Sequence, residues 1–181
     1  MRTVSDDIKA LRPTVLMAVP LLAEKLYAKI EDRLKQSRVA RLLIRMGLGQ
    51  LVGRKVRKSL GGRLRFLFVG GAPCPRHVLE GFRRIGVPIV EGYGLTECSP
   101  VVSATNFTSS RVGTIGKKLP NIEVRIADAN EQGVGELQIR GPIVMKGYFN
   151  NLEATREAFD GEWLRTGDLA SLDADGYLTI R

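Results

Sequence analysis

The chain is poor in the residues that build the commonest catalytic and metal sites. In 181 residues it holds one histidine, His77, and two cysteines, Cys74 and Cys98. The cysteines form neither a C-x-x-C pair nor a metal-type cluster, and Cys74 lies between two prolines. A zinc ribbon and a disulfide framework are thereby excluded, and both are read as reduced cytosolic thiols. His77 has no neighbour that would make it a catalytic base, so a surface or packed position is expected. No uncharged apolar run approaches the roughly 18 residues of a membrane span. The opening M-R-T-V-S-D-D-I-K puts charge where a signal peptide needs its apolar core. A secreted protein is not expected, and the expected location is cytoplasmic.

Residues 33–65 lack any Asp, Glu or aromatic side chain. What that window has is eleven Lys and Arg, and since the net charge is +9, the rest of the chain is slightly acidic. Three readings fit such a segment. The first is a solvated helical face. The second is attraction to an anionic membrane surface, where each Lys or Arg contributes about 1 kcal/mol. The third is nucleic-acid binding, which the absence of rings to stack bases argues against.

The length fits one domain or a piece of a larger one, and 44% hydrophobic with 26% charged residues is ordinary for a globular protein. Ser5–Leu11 is a predicted helix with Ser5 as N-cap. The apolar runs Thr14–Val19 and Leu64–Val69 have the length of buried parallel strands. Pro20 opens a helix running into the thirties. Apolar and basic residues then interleave from Leu42 to Leu60 around Gly47, Gly49 and Gly53, predicting a broken amphipathic pair. Arg76–Ile85 is a predicted helix, and Pro88–Val90 and Val101–Thr105 are predicted strands.

Beyond about Ser109 helical periodicity yields to short strands: 111–115, 122–127, 135–141, 143–148, 163–168 and 177–181. Asn151–Phe159 is the helical interruption. The expected boundary between an α/β portion, 1–108, and a β-rich subdomain, 109–181, falls near 107–110. Asp173-x-Asp175-Gly176 lacks the later ligands of a calcium loop and is read as a hairpin turn.

The most informative stretch is Val90–Glu97, V-E-G-Y-G-L-T-E. Gly92 and Gly94 bracket Tyr93, so backbone can turn sharply and approach a ligand closely. The ring offers a stacking face, Thr96 a hydroxyl for a phosphate oxygen, and Glu97 a hard carboxylate for Mg²⁺. These are the needs of a magnesium nucleotide, although a corner with a packed Tyr and a solvated Glu satisfies the same residues. Likewise Gly70-Gly71-Ala72-Pro73 ends a strand either as ligand-contacting backbone or as a tight turn. Asp168, after Gly167, can accept ribose hydroxyls or close its own turn.

Y-G-L-T-E, preceded by G-G-A-P and followed by G-E-L-Q-I-R-G, K-G-Y-F and W-L-R-T-G-D, resembles the adenylate-forming superfamily. It is most similar there to the long-chain acyl-CoA synthetases, over 64–181 and more loosely to the start. The resemblance implies an α/β fold, part of the large N-terminal domain, with a parallel α/β layer followed by a small β-rich subdomain. It implies an acid–thiol ligase that uses ATP, Mg²⁺ and coenzyme A to make acyl-adenylate and then a thioester. Gly71, Ala72 and Pro73 would lie against adenine, with Gly92, Tyr93, Gly94 and Thr96 also on the nucleotide. Thr96 and Glu97 would serve catalysis, Glu97 would hold the metal, and Asp168 would bind ribose. The block around Gly135-Glu136 and Arg140-Gly141 is expected to be mainly structural. Val101–Thr105 would lie near the acyl tunnel.

These 181 residues contain neither the family's Ser/Thr/Gly-rich phosphate loop ending in lysine nor its lysine-bearing C-terminal lid. The chain alone is therefore expected to be inactive in adenylation. The expected partners are fatty acid, ATP and coenzyme A, with peripheral membrane association and without nucleic acid. The alternatives are an adenylating enzyme for an aryl or amino acid, and a non-catalytic lipid- or nucleic-acid-binding module built on 33–65.

Overall fold

Apolar runs bounded by proline or glycine become the parallel strands of the chain's first half. A computed structural model describes residues 4–106 and 111–181, and these divide into two compact units, Met1–Glu91 and Gly92–Arg181. The boundary expected at 107–110 falls outside the described residues, as does the Ser5 side chain.

In the first unit, β1 (Val15–Ala18) pairs in parallel with β2 (Phe66–Val69), Val15 opposite Phe66. Strand β2 pairs in parallel with the start of β3 (Ile89–Tyr93), Leu67 opposite Ile89. Helix α1 (Val4–Leu11) precedes the strands. Three helices separate β1 from β2: α2 (Pro20–Gln36), α3 (Arg38–Arg45) and α4 (Gly49–Ser59). Helix α5 (Arg76–Arg84) links β2 to β3. Pro20 sits in the first turn of α2, where a missing N–H costs nothing. Ser37 separates α2 from α3, its Oγ accepting from the Ala40 N–H at 3.2 Å. Leu67, Val69, Val78, Leu79, Phe82 and Val87 are fully buried at the centre of this core, each such side chain contributing about 1.5–3 kcal/mol.

The expected broken pair is α3 and α4, but the glycines divide the work. Gly47, at φ +76°, makes the break. Gly49 and Gly53 lie within α4, where a Cβ would sit 2.0 Å from the Arg84 carbonyl oxygen and 2.3 Å from that of Ile85. They are close-approach residues against the end of α5.

In the second unit Gly92 and Tyr93, the end of β3, pair antiparallel with β4 (Ser103–Ala104), which pairs with β5 (Lys117–Lys118). The remaining elements are β6 (Glu123–Ala127), β7 (Val134–Arg140), α6 (Leu152–Glu157), β8 (Phe159–Asp160), β9 (Trp163–Leu172) and β10 (Leu178–Ile180). They form an antiparallel sheet in the order β10-β9-β7-β6, with β8 also on β9. Leu137, Ile139, Leu164, Ala170 and Leu178 are its buried centre. Trp163, the single tryptophan, stacks under two guanidiniums, Arg125 at 4.6 Å and Arg140 at 4.8 Å.

Two predicted strands are absent. Residues 111–115 form a turn in which Gly113 takes φ +90° and Arg111 pairs with Asp173 and Asp175 of the β9–β10 hairpin. Residues 143–148 run as a loop in which Ile143 and Met145 bond the 96–99 turn, while the Val144 and Tyr148 N–H groups go to Gly141 and Thr155. Among the described residues no helix is long and apolar enough to cross a membrane.

Candidate active site

Tyr93 ends β3 because Gly94, next in sequence, must pass within touching distance of the chain that returns to β4. A Cβ on Gly94 would stand 1.8 Å from the Pro100 carbonyl oxygen. The chain then makes one 3₁₀ turn, Thr96–Cys98, closed by Ser99 in the left-handed region at φ +56°. Thr96 is exposed and Glu97 half-buried.

This turn is held by the loop that the sequence pattern read as a strand. The Met145 N–H donates to the Glu97 carbonyl at 2.7 Å, and Ser99 Oγ donates to the Ile143 carbonyl at 2.9 Å. The third tie falls on the Glu97 side chain, where Tyr148 Oη donates to Oε1 at 2.9 Å. Tyr148 is positioned in turn by its N–H on Thr155 Oγ1 at 2.9 Å. The hydrogen bond to Glu97 raises the Tyr148 pKa, keeping the phenol a donor. The second oxygen of Glu97 has no protein donor among the described residues. One free carboxylate oxygen beside an exposed hydroxyl suits Mg²⁺, which takes one or two protein carboxylates and completes its octahedron with water and phosphate. Among the described residues no group of three or more His, Cys, Asp and Glu gathers as an all-protein cage.

Asp168 is set on β9 opposite the ring of the same motif. Tyr93 Oη donates to Asp168 Oδ2 at 2.6 Å. Burial, and then this bond, push the Tyr93 phenol far above its ordinary range, so the proton stays on tyrosine. The Asp168 turn is braced from β7. Glu136 accepts from the Gly167 N–H at 3.2 Å, from Gln138 Nε2 at 2.9 Å and from Arg165 Nε at 3.2 Å. Burial raises the Glu136 pKa, but these donors outweigh it and hold the carboxyl below its usual range. Thr166 Oγ1 donates to the Leu137 carbonyl at 2.7 Å and accepts the Asp168 N–H at 3.1 Å.

The structure thus brings Tyr93 to Asp168 and sets Thr96 and Glu97 on one turn, with Gly92 and Gly94 framing the ring. Gly71, Ala72 and Pro73 belong to the first unit, where all three are exposed. Gly71 is at φ +84° with open space where a Cβ would be. His77 is exposed on α5. Burial pushes the Cys74 thiol up to about 12 and Cys98 up to about 11, so neither is a nucleophile. Sequence reasoning missed Tyr148; it expected the Gly135-Glu136 block to be mainly structural, without saying what Glu136 would hold. The K-G-Y-F and G-E-L-Q blocks signalled both positions, but only the folded chain shows what they touch.

The model of the family described as AMP-binding enzyme matches residues 1–149. The long-chain-fatty-acid–CoA ligase FadD15 of Mycobacterium bovis is 36% identical over 97% of this chain and 34% of its own length. The chain therefore spans about a third of the curated relatives it matches first. Among solved structures, the o-succinylbenzoate coenzyme A synthetase of Bacillus subtilis in complex with AMP is 27% identical with a TM-score of 0.74, over 99% of this chain and 34% of that one. The N-terminal domain of FACL13 from Mycobacterium tuberculosis is 26% identical with a TM-score of 0.69, over 98% of this chain and 41% of that one. The α/β fold is thus that of the N-terminal domain of adenylate-forming enzymes.

Proposed function

The chain belongs to the family of AMP-binding enzymes, and from that membership we propose that it is the nucleotide-binding portion of a long-chain fatty acid–CoA ligase. The proposed reaction begins when a carboxylate oxygen attacks the α-phosphorus of ATP, forming acyl-adenylate and releasing pyrophosphate. The thiolate of coenzyme A then attacks the acyl carbonyl carbon, and AMP leaves with the bonding electrons. The observation that carries this reading is the Tyr93–Asp168 pair at 2.6 Å. It fixes one oxygen of an aspartate and leaves the other to accept ribose hydroxyls.

In this reading Asp168 binds the ribose, and Gly71, Ala72 and Pro73 contact adenine through exposed backbone. Gly92 and Gly94 keep the approach to Tyr93 clear for the nucleotide. Thr96 Oγ1 donates to a phosphate oxygen. Glu97, oriented by Tyr148, is the ligand for Mg²⁺, which when bound would neutralise charge on the phosphates. The chain supplies no lysine-ended phosphate loop, and one lost preorganised donor alone costs about 3 kcal/mol or more. The 181-residue chain is therefore proposed to bind nucleotide without supporting ATP–pyrophosphate exchange.

Calorimetric titration with AMP tests the reading. Asp168→Ala should weaken AMP by about tenfold or more, the worth of a hydrogen bond to a charged group. 2′,3′-Dideoxy-AMP should bind wild type as weakly as AMP binds the variant, with no further loss when the two changes are combined. Equal binding of AMP and dideoxy-AMP to wild type would sink the ribose assignment, and measurable exchange would sink the inactive fragment. A second reading, an aryl-acid ligase, is favoured by the 27% likeness to the o-succinylbenzoate enzyme. Competition between fatty and aryl acids for a full-length ligase carrying this sequence separates the two.

A further inference from the structure

The basic window resolves into a three-faced surface. Helix α3 turns Ala40, Leu43 and Ile44 inward onto the core of the first unit. Its other sides divide sharply. Val39, Leu42 and Met46 stand out at 65%, 57% and 63% exposure, within an arc of about 60° at 100° per residue. Arg38, Arg41 and Arg45 form the adjacent row and are all exposed. The apolar row continues through Leu48 and Leu51, both more than 40% exposed. Leu51 shares the outward side of α4 with Arg54, Lys55 and Lys58, while Val52 and Val56 face the core.

Exposed apolar residues beside a row of arginines are explained neither by core packing nor by a solvated face, which would carry polar residues at 39, 42 and 46. Nor are the cations engaged. Among the described residues none of Arg38, Arg41, Arg45, Arg54, Lys55 and Lys58 makes an ion pair. Of the two acids that immediately precede the window, Glu31 and Asp32, Glu31 is taken by Lys35 at 2.8 Å. A partner must offer dense negative charge over an apolar layer into which short aliphatic side chains can dip. An anionic lipid interface offers both at the same depth. A duplex offers the charge without the apolar layer, and the surface carries no ring to stack on bases.

We propose that the outward face of α3 and α4 docks on anionic membrane, with Val39, Leu42 and Met46 entering the headgroup boundary and the flanking Arg and Lys on lipid phosphates. The surface lies wholly in the first unit and needs no catalysis, so its test is separate from the ligase reading.

The purified chain is floated with vesicles of phosphatidylcholine alone and with vesicles that also contain phosphatidylglycerol. Binding is expected only to the anionic vesicles, and salt should weaken it. Arg38→Gln/Arg41→Gln/Arg45→Gln should lower it by about 100-fold, at about fivefold per cation. Leu42→Ser/Met46→Ser should lower it by about tenfold or more. All five side chains are exposed, so folding should survive, and unchanged calorimetric melting confirms it. Met17→Lys, on β1 and outside α3 and α4, should leave vesicle binding as it was. The proposal is overturned by absent binding, by equal binding to both vesicle types, by a triple variant that binds like wild type, or by tighter binding to a duplex oligonucleotide than to anionic vesicles.

Discussion

Glu136 touches no substrate in the proposed reaction, yet the loop that presents Asp168 hangs from it. Three donors converge on its carboxylate, and its pKa lies below the ordinary 4.5. A carboxyl depressed by folding stabilises the native state above its unfolded pKa and loses that contribution as pH falls through the folded value. The second unit should therefore weaken as pH drops below about 5. Glu136→Gln should cost about 1–2 kcal/mol at neutral pH and converge on wild type in strong acid. Calorimetric melting against pH checks this, and a constant gap between the two proteins at every pH would refute it. Tyr93, Thr96, Glu97 and Asp168 were legible in the sequence because each motif is local and its glycines mark the turns. Tyr148 was not. Its bond to Glu97 spans 51 residues, and no spacing rule reports which distant hydroxyl a carboxylate will meet.

Helices and strands were legible wherever apolar periodicity and a boundary residue agreed, as at Pro20 for α2 and at Phe66–Val69. They were misread where apolar side chains pack without regular pairing. Ile143, Val144 and Met145 fill the edge of the second core and so imitate a strand, while their backbone bonds go to Ser99, Gly141 and Glu97 rather than to a neighbouring strand. Gly53 shows the converse, a helix interior that looks like a break. Alanine there gains about 1 kcal/mol of intrinsic helix propensity. Its Cβ would nonetheless lie 2.3 Å from the Ile85 carbonyl oxygen, a clash with backbone that cannot step aside. Gly53→Ala should therefore destabilise the first unit, by about 2–4 kcal/mol. Denaturant unfolding reads the sign, and stabilisation would show that α4 and α5 are less tightly apposed than described.

For the molecule as a whole, one exposed apolar feature is the unpaired edge at β1. Among the described residues β1 pairs with β2 alone. Met17, Val19 and Leu21 are 69%, 59% and 58% exposed. Nearby lies a mainly apolar cavity of about 500 Å³ lined by Val4, Val19, Leu21, Leu22, Leu26 and Ala28 together with Lys25 and Lys29. An unpaired apolar strand is a template for a second chain, so the isolated protein should self-associate with rising concentration. Met17→Lys places a charge on that strand and should slow the growth of light scattering severalfold. If scattering is unaffected, the association runs through another surface. The runs Val15–Ala18 and Phe66–Val69 are apolar throughout, as strands covered on both faces are. Which of them lies at the edge is a property of strand order, and that becomes visible only in the fold.

Trp163, stacked against the guanidiniums of Arg125 and Arg140 in the second unit, has an optical consequence. Its emission senses those two cations of the second unit, whereas helical ellipticity comes mostly from α1 to α5 in the first unit. The two signals are thus separate clocks for the two halves of the chain. Coincident melting curves would mean that the halves unfold as one cooperative body, and split curves that each keeps its own stability.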